Sequence, residues 1–167
     1  MVTFTDIAPD ALAPTQNASD DDSFRLDGLS LGKLHVFGAA WGDLNGDGYP
    51  DLVIATGAQV TGDPASLANR IYMNVEAPTE AEPSGRKLVD MTFGDDGMAG
   101  TADDRLPFLL NSSADVKIGD FDLDGWNDLF VSNFAEPGVG VGAQNRFYRN
   151  LGASGKPGYF EDATDSW

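Results

Sequence analysis

Read for the alternation of apolar and polar residues, the chain resolves into short segments of strand character separated by turn-forming residues. Eight stand out, near Gly38–Trp41, Leu52–Ala55, Arg70–Met73 and Leu88–Met91, then near Val116–Gly119, Leu129–Ser132, Arg146–Arg149 and Phe160–Ala163. They are rich in β-branched, aromatic and other apolar residues and are bounded by Gly, Asp, Asn or Pro, which predicts β-strands. No stretch keeps its apolar residues at helical spacing. The segments Pro9–Gly32, Gly57–Ala68, Ala77–Arg86, Phe93–Asn111 and Phe134–Gln144 carry the Gly, Pro, Ala, Asp and Ser of loops. The first and fourth are long enough to be insertions. Each precedes an Asp-rich hairpin, so both are expected to emerge on one face.

The eight segments form two sets of four, because the sequence repeats. Gly42-Asp43-Leu44-Asn45-Gly46-Asp47-Gly48-Tyr49-Pro50-Asp51-Leu52 recurs 77 residues later as Gly119-Asp120-Phe121-Asp122-Leu123-Asp124-Gly125-Trp126-Asn127-Asp128-Leu129. Asn69-Arg70-Ile71-Tyr72-Met73-Asn74 recurs after 76 residues as Asn145-Arg146-Phe147-Tyr148-Arg149-Asn150. A closing block, Leu88-Val89-Asp90-Met91-Thr92, returns as Tyr159-Phe160-Glu161-Asp162-Ala163-Thr164 and stands alone at the start as Phe4-Thr5-Asp6-Ile7. A fixed period of tens of residues signals a repeat architecture whose units bury their faces against one another. The expected fold is all-β, one region over 1–167. It comprises an N-terminal strand and long loop (1–34), a first four-stranded unit (35–93), an insertion loop (94–113) and a second four-stranded unit (114–167).

Charge narrows the partners. Lys and Arg number 10 against 27 Asp and Glu, and the formal net charge of -17 repels nucleic acid and anionic membrane surfaces. Apolar residues at 41% are nevertheless enough for a packed core, so the chain is no acidic tail. There is no Cys and one His, which removes disulfides and the favoured zinc ligands. No run is long enough to span a bilayer, and Met1-Val2-Thr3-Phe4 is not an export signal, so any such signal would lie outside this sequence.

The acids are not scattered. In each repeated loop they fall at alternate positions, the spacing from which a short turn delivers oxygens to Ca²⁺, a hard cation taking six to eight of them. The expected ligands are the side chains of Asp43, Asn45, Asp47 and Asp51 with the Tyr49 carbonyl, and those of Asp120, Asp122, Asp124 and Asp128 with the Trp126 carbonyl. Two ions are expected, the second loop binding more tightly because it has four carboxylates to the first loop's three. An EF-hand would open on the same pattern, but its twelfth position requires Glu on an exiting helix. Here that position is Ile54 or Val131, inside strand-like segments. Asp, Asn and Gly also favour turns without metal; two loops of matching spacing, with acids that would otherwise repel, favour the metal. Asp20-Asp21-Asp22 reads as a solvated run, and Asp95-Asp96 with Asp103-Asp104 lack the alternate spacing.

At these loops the sequence resembles the FG-GAP/VCBS repeat family, of which integrin α-chain propeller domains are members. The resemblance rests on Gly-Asp-x-[Asn/Asp]-x-Asp-Gly-x-x-Asp-Leu, on Asn-Arg-[Ile/Phe]-Tyr, and on the closing block; Phe37-Gly38-Ala39-Ala40 matches the FG and GA elements, whereas Ala114-Asp115-Val116-Lys117 does not. It implies four-stranded β-propeller blades with Ca²⁺ in the hairpin between the first two strands, an extracellular or cell-surface setting, and a role in adhesion or ligand binding. Propellers close with more than two blades. The chain is therefore expected to be part of a larger propeller or a unit that assembles with copies of itself. The favoured function is a Ca²⁺-stabilised module that binds a protein or glycan, or a scaffold, rather than an enzyme. The alternative is a part of a secreted glycan-active enzyme, catalytic or not. No nucleophile motif is present, and lone His35 beside Val36 and Phe37 reads as a packing residue.

Overall fold

The computed structural model describes residues 25–26, 29–30, 35–57, 68–76, 86–107, 112–134 and 143–166. The Phe4–Ile7 strand and Asp20–Asp22 lie outside the described residues, as does the His35 side chain. Among the described residues there are ten strands: β1 (Arg25–Leu26), β2 (Leu29–Ser30), β3 (His35–Gly42), β4 (Asp51–Gly57), β5 (Arg70–Glu76), β6 (Arg86–Asp90), β7 (Ser113–Gly119), β8 (Asp128–Asn133), β9 (Arg146–Asn150) and β10 (Phe160–Asp162). Among the described residues there is no α-helix, and hence none long and apolar enough to cross a membrane. All eight strands expected from the apolar pattern are found. One difference arises within Pro9–Gly32, expected as loop, where β1 and β2 pair as a small antiparallel ribbon. Two residue pairs are too short for an alternation to register in the sequence.

β3 to β6 form one antiparallel sheet and β7 to β10 a second, each a meander in which chain neighbours are spatial neighbours. The sheets stack. Val53, Ala55, Ile71 and Met73 of the first face Val116, Leu129, Val131, Tyr148 and Phe160 of the second in one core, which Leu44 and Leu106 join. Leu106 belongs to the segment expected as an insertion, and its neighbour Arg105 ties the sheets. The Arg105 N–H donates to the Thr92 carbonyl at 3.0 Å, and its carbonyl accepts from Phe160 N–H at 2.8 Å. Stacking of two sheets with matching repeats gives a β-propeller-type fragment, and these two sheets do not close a ring.

β3 and β7 run closest together, and the sequence permits it by withholding side chains. A Cβ at Gly38 would lie 2.6 Å from Asp115 Oδ1 and 2.8 Å from its Cα, and one at Gly42 would lie 2.6 Å from Ile118 Cγ2. The far faces of the sheets differ. On the first, Leu52, Ile54 and Tyr72 are buried with Leu88 against them, so β4 is buried on both faces and reads as a continuous apolar run. On the second, the residues that replace the first sheet's Ala40, Val53, Ala55, Met73 and Val89 are Lys117, Phe130, Ser132, Arg149 and Glu161, with Arg149 paired to Glu161.

The repeated motifs perform the same task twice. Asn69 Oδ1 accepts the Thr56 N–H and Asn145 Oδ1 the Asn133 N–H, both at 3.0 Å, bracing the ends of β4 and β8. Thr92 Oγ1 accepts the Ile71 N–H at 2.9 Å and Thr164 Oγ1 the Phe147 N–H at 3.0 Å, extending the pairing of the last two strands beyond their ends. Arg70 pairs with Asp90 and Arg146 with Asp162 on the same edge.

Candidate metal centre

The two Asp loops join β3 to β4 and β7 to β8, so each is a hairpin turn held at both ends by a strand ladder. Their first carboxylates organise the turn. Asp43 accepts the N–H groups of Gly46 at 2.7 Å, Asp47 at 3.2 Å and Gly48 at 2.8 Å. Asp120 accepts those of Asp124 and Gly125, both at 3.0 Å. Asn45 and Asp122 each accept the N–H two residues on, as do Asp47 from Tyr49 and Asp124 from Trp126. Each side chain thus folds back over its own turn.

The last acid in each loop has another position. Asp51 and Asp128 are fully buried, and each spends one oxygen on the turn and one on the third strand. Asp51 accepts from Leu44 N–H at 2.9 Å and Asn74 N–H at 2.8 Å; Asp128 accepts from Phe121 N–H at 3.0 Å and Asn150 N–H at 2.9 Å. Burial raises the pKa of both carboxyls, and the two backbone donors on each oppose that shift by favouring the charged form.

Of the expected ligands, Asp120, Asp122 and Asp124 come together: one oxygen from each lies within 4.8 Å of the other two. The first-loop counterparts are Asp43, Asn45 and Asp47, an amide standing between two carboxylates. An all-oxygen set of this density suits a hard divalent cation, since three like charges at such separations are mutually destabilising without one. The weaker candidates behave differently. Asp103 accepts the N–H groups of Asp95 and Asp96 and the Thr101 hydroxyl, which lower its pKa, the hydroxyl most strongly. Asp104 accepts the Gly100 N–H at 2.6 Å. These carboxylates cap their own loop.

The loops also touch each other. Asn127 Nδ2 donates to the Asp43 carbonyl at 2.8 Å, and buried Asn150 Nδ2 donates to the Leu44 carbonyl at 2.8 Å. The Trp126 ring lies over Gly46, where an added Cβ would sit 2.8 Å from Cζ3. Gly46 also has φ of 75°, a conformation that favours glycine, but it is the Trp126 ring that leaves no room for a side chain. At the equivalent position of the second loop Leu123 adopts φ of 64° with its side chain in solvent.

Sequence reasoning missed Arg86, Asn74, Asn127 and Asn150. The two Asn residues of the third strands were visible as repeated positions without a role. Arg86 had no signal at all, being the last residue of a loop 35 positions beyond Asp51. It reaches the first loop because β6 pairs with β5 in a register that sets Arg86 opposite Glu76.

No curated protein matches this chain. Residues 36–65, which hold β3 from Val36 onward, the first Asp loop and β4, match the family model of the FG-GAP repeat. The second loop and its sheet repeat the same pattern beyond the matched stretch. This chain therefore carries an FG-GAP repeat within a stack of two β-propeller-type sheets.

Proposed function

We propose that the chain is a Ca²⁺-stabilised propeller-repeat module, non-enzymatic and extracellular or at the cell surface, that serves ligand binding or scaffolding. The observation that supports it best is the convergence of Asp120, Asp122 and Asp124 oxygens in a strand-flanked turn. One ion per loop is the expected load. Asp120, Asp122, Asp124 and the Trp126 carbonyl would hold the ion of the second loop, with Asp128 completing it through the lone pairs its backbone donors leave free. Asp43, Asn45, Asp47, Asp51 and the Tyr49 carbonyl would hold the other. The second loop, with one more carboxylate, binds the more tightly.

Bound Ca²⁺ would neutralise the clustered acids and lock the hairpins, leaving the loops at the other end of each sheet to meet a protein or glycan. Because the folded turn binds the ion and the unfolded chain does not hold its oxygens together, metal adds to folding stability. At a free Ca²⁺ of a hundred times Kd, each site contributes about 2.7 kcal/mol, and for a chain of this size that raises Tm by roughly 5–10 °C. Calorimetric melts with Ca²⁺ and with EGTA test this. A Tm indifferent to chelation sinks the proposal, and Asp124→Ala is expected to shrink the Ca²⁺-induced shift.

A further inference from the structure

Contacts with Asp47, Tyr49 and Asn74 fix the guanidinium of Arg86 against the first loop. Nη2 lies 2.9 Å from Asp47 Oδ2 and 2.5 Å from the Asn74 carbonyl, Nε donates to Asn74 Oδ1 at 2.9 Å, and the guanidinium carbon sits 3.5 Å from the Tyr49 ring centroid. Its side chain is only 15% exposed. A planar cation held by a carboxylate, an amide and an aromatic face at once is a built arrangement rather than a casual surface pair. Asp47 is also the fifth position of the first loop, one of its expected metal ligands.

The second sheet has nothing equivalent. Leu88 pairs with Asn74 and Phe160 with Asn150, so Arg86, two residues before Leu88, corresponds to Gly158, two residues before Phe160 and ahead of β10. Among the described residues no Lys or Arg is paired with Asp124. Arg149, whose charge is felt by Asp122 and Asp128, has its guanidinium bonded to Glu161. The two loops therefore differ by more than the exchange of Asn45 for Asp122: one of them has a cation of its own.

We propose that Arg86 is a built-in counter-cation that weakens Ca²⁺ binding by the first loop, so that the two loops fill in sequence, the second before the first. The proposal rests on the Ca²⁺ function proposed above. An entering ion either displaces Arg86 from Asp47 or binds beside a guanidinium that has already drawn on the ligand's charge; both reduce affinity. An ion pair of this partial exposure is worth about 1 kcal/mol, so its removal is expected to tighten the first loop about fivefold.

The test is a Ca²⁺ titration of the full chain followed by NMR, with the Gly48 amide reporting the first loop and the Gly125 amide the second. In the unaltered protein Gly125 should saturate before Gly48. In Arg86→Gln the Gly48 midpoint should fall about fivefold with Gly125 unmoved, whereas Arg86→Lys, which keeps the charge, should stay near the original. Asn45→Asp gives both loops four carboxylates without touching Arg86, and Gly48 should still saturate last. A Gly48 midpoint unchanged or weakened in Arg86→Gln overturns the proposal, as does Gly48 saturating first or together with Gly125 in Asn45→Asp. If neither amide responds to Ca²⁺ in the unaltered protein, the Ca²⁺ function itself fails and the role of Arg86 with it.

Discussion

Removing the side chain of Asn150 tests how the two sheets are joined. This amide is 2% exposed and makes four bonds: Nδ2 donates to the carbonyls of Leu44 and Asn127, both at 2.8 Å, and Oδ1 accepts from Gly152 N–H at 3.0 Å and Gly158 N–H at 3.2 Å. In Asn150→Ala two carbonyls and two N–H groups lose their partners in the interior. At about 1 kcal/mol for each bond, the loss is about 4 kcal/mol, equivalent to a Tm lower by roughly 8–16 °C. The repeat supplies its own control. Asn74 holds the same position in the first sheet, but its amide donates to the Pro50 carbonyl at an exposed site and accepts from Arg86. Asn74→Ala, which loses two bonds, one of them exposed, is therefore expected to cost about 1–2 kcal/mol. Thermal melts in EGTA, where metal does not contribute, measure both. Equal losses from the two substitutions would refute the assignment of Asn150 as the polar joint between the sheets.

Four further outcomes are expected. Gly42→Val drives a branched side chain into Ile118 and forces β3 from β7, lowering stability by about 2 kcal/mol or more; a melt unchanged within a degree would show that the strands separate freely. Thr92→Val keeps shape but strands the buried Ile71 N–H, at about 1–3 kcal/mol, and Thr164→Val, at a less buried site, should cost less in the same denaturant titration. Asn127→Ala cuts the bond to the Asp43 carbonyl, and it should weaken Ca²⁺ binding at the first loop as read at Gly48, although the residue lies in the second loop. Replacing Lys117, Arg149 and Glu161 together by Ala, Met and Val gives the second sheet's far face the character of the first sheet's packed one, and self-association should appear in sedimentation analysis; a species that stays as it was would show that charge is not what holds that face apart from others.

Much of this architecture is local and so was legible. The strands follow from runs such as Leu52–Ala55, whose apolar content reflects burial on both faces, and from turn chemistry at their ends. The pairing of consecutive strands follows from short connections. The loop oxygens are separated by one or two residues, so alternate spacing alone brings Asp120, Asp122 and Asp124 to one place, and the internal repeat carries the inference from one sheet to the other. What the chain cannot declare locally is which distant groups meet. That Asp51 and Asp128 are buried struts binding Asn74 and Asn150, that Trp126 covers Gly46, and that Arg86 reaches Asp47 across 39 positions all depend on the register of β5 against β6 and on one sheet stacking upon the other. Alternation and turn residues set what each strand and loop can become, because those energies act between near neighbours. The partners that separate two otherwise matching loops are chosen by packing, which couples residues whose distance along the chain carries no information about their distance in space.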